Sequence, residues 1–226
     1  MQLTVGEVSK LCHVPESEVY LWVKREGLSA QRVNDTFSIN ASELLEWTSM
    51  TNRFISPSTL RVLNGDSVKE SGLYEALKIG GILYDVHASD KKALFKAVVE
   101  TLPVPEHFQR EMLVDLLLAR EALGSTVVQS GIAIPHPRRP VVLAGTAPVA
   151  RLCYLETPFS FGDLGAPVEM LFLLICPTVR DHQQLLARVA NALRDDTFLN
   201  LVRTKPPKDV ILDAIQAVEA GLVGSV

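Results

Sequence analysis

The stretch from Arg120 to Arg139 reads REALGSTVVQSGIAIPHPRR and sets His136 between two prolines, with two arginines immediately beyond. Proline fixes its own φ and confines the residue before it to extended backbone, so this imidazole sits on stiff chain on both sides. A neutral imidazole is nucleophilic near pH 7, and a phosphoryl group bound to its nitrogen needs cations or hydrogen-bond donors around its oxygens. Arg138 and Arg139 put cations at that spot. The pattern suits a histidine that accepts a phosphoryl group and hands it on.

A second histidine, His182, precedes Leu185, Leu186 and Val189 at i+3, i+4 and i+7. It is expected to start a helix and to lie at the inner end of that helix, where helix N-termini attract anions. As a metal pair the two histidines fail on spacing, because no HxxxH, HExxH or paired cysteines accompany them. Nucleotide binding lacks a Gly-rich loop ahead of a helix. No metal and no cofactor is therefore expected. The other histidines, His13, His87 and His107, have no constellation around them.

The elements that must hold these residues are a run of helices alternating with apolar strands. Gly80 to Val86 reads as a strand, and Ser89 is placed to cap a helix carrying Leu94, Val98 and Leu102. The next helix is expected to bury Phe108, Met112, Leu116, Ala119 and Leu123, which fall on one face. Arg120 closes this helix, and Glu121, Ser125 and Thr126 are candidates to fix the turn beyond it. Strands are expected at Gly131 to Ile134, Val149 to Leu155 and Glu169 to Cys176, the last apolar on both faces as an interior strand should be. Helices over His182 to Leu193, Phe198 to Val202 and Lys208 to Ala220 close the chain. Such alternation argues for a layered α/β domain.

The first fifty residues differ. Thr4 and Glu7 form a capping-box pattern for a helix from Val5 to Leu11, and His13, Val14 and Pro15 break it. A second helix, Glu16 to Glu26, carries Val19, Trp22 and Val23 and stops at Gly27. Leu28 to Ile39 reads as a small ribbon with an Asn-Asp turn, and Asn40 with Glu43 caps a last helix ending near Trp47. Residues 51 to 72 carry Ser-Pro, Asn-Gly-Asp and Ser-Gly breaks and read as a linker.

The chain has 226 residues, of which 47 % are hydrophobic and 21 % charged, enough apolar material for a core and against disorder of the whole chain. Its longest near-continuous apolar stretch, Val168 to Cys176, is far below the roughly 20 residues of a membrane span. The first residues lack the basic and apolar regions of a secretion signal, and Cys12, Cys153 and Cys176 form no CxxC pair, so a reduced, cytoplasmic setting is expected. The net charge of −4 excludes strong general attraction to nucleic acid.

Residues 1–50, with L-T-x-x-E-V-S, a Val-Pro turn, V-Y-x-W-V-x-x-E-G-L and S-I-N-x-x-E-L-L-E-W, resemble the winged helix-turn-helix modules of the excisionase and MerR type. The resemblance implies a helix that enters the major groove and a wing on the neighbouring backbone, with Ser17, Tyr20, Lys24, Arg25 and Arg32 as candidate DNA contacts. Two departures weigh against DNA. Leu21 stands where the family commonly has a cation, and four cations face seven acids up to residue 50. The module then serves either DNA or a protein contact.

Residues 73–222 resemble the enzyme IIA domain of the bacterial phosphotransferase system, in its fructose, mannitol and nitrogen-regulatory class. The motifs are R-E-x-L-G-S-T, G-I-A-I-P-H, D-x-x-x-P-V-x-x-L-F-L-L-x-x-P from Asp163 to Pro177, and H-x-x-L-L-A-x-x-A-x-x-L, in that order. The resemblance implies an α/β fold with a mixed central sheet flanked by helices. It makes His136 the phosphorylated histidine, His182 a supporting one and Arg120 a stabiliser of the transferring group. Arg138 is a candidate contact to phosphate or partner. The implied donor is the phosphocarrier HPr or its nitrogen-branch relative. Pro137, where many members carry Gly, removes an N–H from the site.

Three functions follow as expectations: a phosphorylated regulator with a helix-turn-helix output, a IIA component passing phosphate to a separate IIB protein, and an interaction module that is not phosphorylated. No membrane partner is expected, and a homodimer is left open.

Overall fold

The computed structural model describes residues 2–33, 36–51, 72–105, 108–129, 131–141, 147–161 and 167–223. The chain divides into two compact units, 1–70 and 71–225. Most of the expected linker, together with Asp35, His107 and Asp163, lies outside the described residues.

The first unit runs β1 (Gln2–Thr4), α1 (Val5–Cys12), α2 (Glu16–Arg25), β2 (Gln31–Val33), β3 (Thr36–Asn40) and α3 (Ala41–Met50). Thr4 accepts from the Glu7 N–H and Glu7 accepts from the Thr4 N–H at 2.7 Å, the reciprocal cap expected from the sequence. The hairpin of α1 and α2 turns at His13, whose φ is 55°. Helix α2 ends where Gly27, at φ 79°, adopts the left-handed conformation that lets the Leu28 N–H return to Trp22 O at 3.0 Å. Val8, Val19, Trp22, Ile39, Leu44 and Trp47 form the core, with the two indoles 5.0 Å apart. The sequence reading missed β1, which pairs antiparallel with β3 and makes the sheet three-stranded in the order β1-β3-β2. Three residues are too few to show an alternation pattern.

The second unit contains α4 (Leu73–Gly80), β4 (Ile82–Val86), α5 (Lys91–Glu100), α6 (Arg110–Glu121), β5 (Val127–Gln129), β6 (Ile132–Ala133), β7 (Val149–Phe159), β8 (Val168–Ile175), α7 (Val179–Arg194), α8 (Asp196–Arg203) and α9 (Lys208–Val223). The sheet order is β4-β7-β8-β6-β5, with β4/β7 and β8/β6 parallel and the other pairs antiparallel. It is the mixed, helix-flanked α/β sheet that the motifs implied. Strand β8 lies at its centre. Met170, Phe172 and Leu174 face one core with α4, α7, α8 and α9, while Leu171, Leu173 and Ile175 face the other with α5 and α6. A strand covered on both faces must be apolar at every position, as this one nearly is.

Two polar anchors hold helices to this frame. Arg151 on β7 is buried and donates to the carbonyls of Gly80, Val98 and Thr101, at the C-terminal ends of α4 and α5, and to Thr101 Oγ1. Helix C-termini carry partial negative charge, so they compensate a cation that has no carboxylate among these contacts. Glu219 on α9 accepts from the backbone N–H groups of Leu73 and Tyr74 and from Arg188, capping α4 from across the unit. Neither anchor has a local sequence signature.

Other expectations require correction. Asp90, not Ser89, caps α5 by accepting from Ala93 N–H at 2.8 Å, and Leu102 lies beyond its end. Helix α6 buries Leu113, Val114, Leu117, Arg120 and Glu121, while Met112 and Leu123 of the expected stripe are exposed. The buried stripe has helical spacing, but its last turn is charged, which disguised it as the outer face. Strand β7 runs on to Phe159. Among the described residues no helix is long and apolar enough to cross a membrane.

Candidate functional site

The site is built where β6 and β8, neighbouring and parallel, both end. Parallel strands deliver the chain that follows them to the same edge of the sheet, the usual place for ligand chemistry in α/β folds. His136 follows β6 and His182 follows β8 on α7. Their rings consequently meet, 4.8 Å apart by centroid and tilted by 53°. Sequence spacing placed each histidine in a site, and the strand pairing brings them together.

The segment leading to His136 is pinned at each step. Gly131, at φ 79°, turns the chain into β6, and its carbonyl accepts from the N–H groups of Glu169 and Met170. The Ile134 N–H donates to Thr126 O at 2.9 Å, and Leu174 N–H donates to Pro135 O at 3.0 Å. His136 Nδ1 then lies 2.7 Å from Ile134 O. A carbonyl oxygen only accepts, so Nδ1 carries a proton, and the neutral form of this ring has its lone pair at Nε2. His136 is only 3 % exposed and its Nε2 is covered, so the imidazole is held inside the site and not displayed on a loop.

Arg120 and Glu121 end α6 with their side chains buried. Arg120 donates from Nη1 to Gly124 O at 3.0 Å. Both carboxylate oxygens of Glu121 accept from Thr126 N–H at 3.2 Å, and Oε2 accepts from Thr126 Oγ1 at 2.7 Å. Lys91 Nζ lies 3.7 Å from the same carboxylate. These contacts clamp the turn that precedes β5. Ser125 Oγ accepts from Val127 N–H only at 3.4 Å.

His182 differs from its expected position. Helix α7 begins at Val179 and is capped by Thr178, which accepts from Asp181 N–H at 3.0 Å. The His182 N–H is already bonded to Thr178 O at 3.1 Å, so this residue offers a side chain to the site and not a free helix-end amide. Arg138 and Arg139 are exposed on the segment after Pro137. His87 is paired with Glu156 at 2.7 Å on the surface. Among the described residues no cluster of histidine, cysteine, aspartate and glutamate is arranged to hold a metal ion.

In the first unit Ser17, Lys24, Arg25 and Arg32 are exposed, and Ser17 and Lys24 share one face of α2 with Leu21, itself 40 % exposed. Tyr20 is half-buried with its ring 5.9 Å from Phe37.

The comparisons with known proteins concern the unit that holds the histidines. Residues 75–218 match the family model described as phosphoenolpyruvate-dependent sugar phosphotransferase system, EIIA 2. A nitrogen regulatory protein of Pseudomonas aeruginosa is 32 % identical over 155 residues, covering 66 % of this chain and 97 % of the relative. One from Bradyrhizobium diazoefficiens is 31 % identical over 153 residues, covering 66 % and 92 %. The crystal structure of nitrogen regulatory protein IIA-Ntr from Neisseria meningitidis shares the fold, with a TM-score of 0.55 at 24 % identity, over 63 % of this chain and 98 % of that one.

Proposed function

The chain belongs to the EIIA type 2 family of the phosphoenolpyruvate-dependent sugar phosphotransferase system, and from this we propose that Nε2 of His136 takes a phosphoryl group from a phosphocarrier protein of the HPr kind. The observation that carries the reading is the 2.7 Å contact from His136 Nδ1 to Ile134 O, which leaves Nε2 as the nucleophile. The Nε2 lone pair forms the new N–P bond as the donor's N–P bond breaks, and that bond's electron pair returns to the donor imidazole. Nδ1 keeps its proton throughout. The phosphorylated ring is then cationic, and the Ile134 carbonyl oxygen stabilises it. His182, Arg120 and Arg138 are the groups assigned to the phosphoryl oxygens. Because Nε2 is covered, the groups over it must give way as the donor docks.

The output is regulatory. The nitrogen regulatory relatives support this over sugar uptake through a IIB protein. Residues 1–50 act as a winged helix-turn-helix output module in the cytoplasm, and phosphorylation places a doubly anionic phosphoryl group at the site, which changes what this module or its partners bind.

The test is phosphotransfer from phosphorylated HPr, and from its nitrogen-branch relative, to the protein and to His136→Ala, read by intact mass under alkaline conditions. A gain of one phosphate by the parent alone supports the reading. If neither donor labels the parent, the phosphoryl-acceptor reading is lost.

A further inference from the structure

Glu121 is buried at the C-terminal end of α6, where the partial negative charge of the helix disfavours a carboxylate. A carboxylate in such a place needs strong partners, and those it has lead toward His136. It accepts the N–H and the hydroxyl of Thr126. Thr126 O accepts the Ile134 N–H, and Ile134 O accepts from His136 Nδ1. Three hydrogen-bonded links, through Thr126 and Ile134, thus connect the carboxylate to the imidazole, each within 3.2 Å. Arg120 closes the same turn through Gly124 O.

We propose that Glu121, acting through Thr126, is a positioning residue that fixes the Ile134 carbonyl and thereby holds His136 in the Nδ1–H tautomer. The inference rests on the reading of Nε2 as the phosphoryl acceptor. It adds that the nucleophile is selected at a distance, since a ring free to turn from Ile134 would populate the Nε2–H form, which has no lone pair there. Chains of hydrogen bonds in a low-dielectric interior polarise one another, and the charged end strengthens this one. Outer partners of this kind orient the groups they touch without contacting substrate.

The test uses the full chain and the variants Glu121→Gln, Thr126→Val and Thr126→Ser, with long-range proton–nitrogen NMR of the His136 imidazole as the first readout. The wild-type ring should be protonated at Nδ1, Glu121→Gln and Thr126→Val should show mixed tautomers, and Thr126→Ser, which keeps the hydroxyl, should restore the wild-type signature. Phosphotransfer to the first two variants should slow by about tenfold or more, the usual cost of losing an outer partner. Should Glu121→Gln not fold, the Thr126 pair carries the same comparison. An Nε2–H ring in the wild type, or a tautomer unmoved in folded variants, overturns the proposal. The NMR readout needs no phosphoryl donor, so a wild type that takes no phosphate but shifts tautomer on substitution refutes the acceptor reading and leaves the positioning role supported.

Discussion

The imidazoles of His136 and His182 lie 4.8 Å apart although they follow different strands of the sheet. In the proposed function His182 contacts a phosphoryl group on Nε2 of His136, and the closeness of the two rings supports that role. His182→Ala should slow phosphotransfer by roughly tenfold or more, the worth of one hydrogen bond to a charged group. His136→Ala should abolish it. Rapid-quench measurements with labelled donor check both, and an unchanged rate in His182→Ala would reduce that residue to packing.

Arg151 ties the carbonyl ends of α4 and α5 to β7 through its whole fork. Arg151→Met should cost about 3 kcal/mol or more, because several buried carbonyls lose their donor together. Arg151→Lys should recover little, since an ammonium cannot span the same acceptors. Urea unfolding of the three proteins measures the difference.

Burial pushes the Cys153 thiol up to about 12, and it also raises the Cys176 thiol and the Tyr154 hydroxyl. These groups keep their protons in the folded protein above about pH 8.5, where unfolded thiols ionise. Proton binding then favours the folded state, so stability is full below that pH and declines as pH rises toward the folded values. The decline should approach about 1.4 kcal/mol per pH unit for each group concerned. Denaturation midpoints from pH 7 to 10.5 test the slope, which Cys153→Ala should make shallower. In the native protein at pH 8, Cys12 should react with a thiol reagent well before Cys153 or Cys176, which are buried.

For the first unit, duplex binding should be weak and shallow in its salt dependence. Lys10, Lys24, Arg25 and Arg32 are its cations up to residue 50, so the slope of log affinity against log salt should be no steeper than about −4. Lys24→Ala should reduce it by about 1. Mobility shifts across a salt series give the number. Absence of any retardation at low salt would assign α2 and its exposed Leu21 to a protein partner.

Much of the second unit was legible in the chain because its signals are local. The apolar run of β8 announces a strand covered on both faces, and prolines around His136 announce a stiff mount. The capping box at Thr4 is equally local, and it forms as expected. The face of α6 was misjudged for the opposite reason. Arg120 and Glu121 look like solvent residues, and they are buried because Gly124, Thr126 and Lys91, on the turn after the helix and at the start of α5, satisfy them.

The sequence by itself singled out His136 as the candidate nucleophile, and it determined the order of the motifs around it and the layered α/β class, since each follows from neighbouring residue types and their period. Only the tertiary structure decided that His182 faces His136, that Nδ1 carries the proton, and that Arg151 and Glu219 anchor helices to the frame. Those facts depend on strand pairing and on backbone carbonyls and amides that every residue possesses, so they leave no mark in the pattern of side chains.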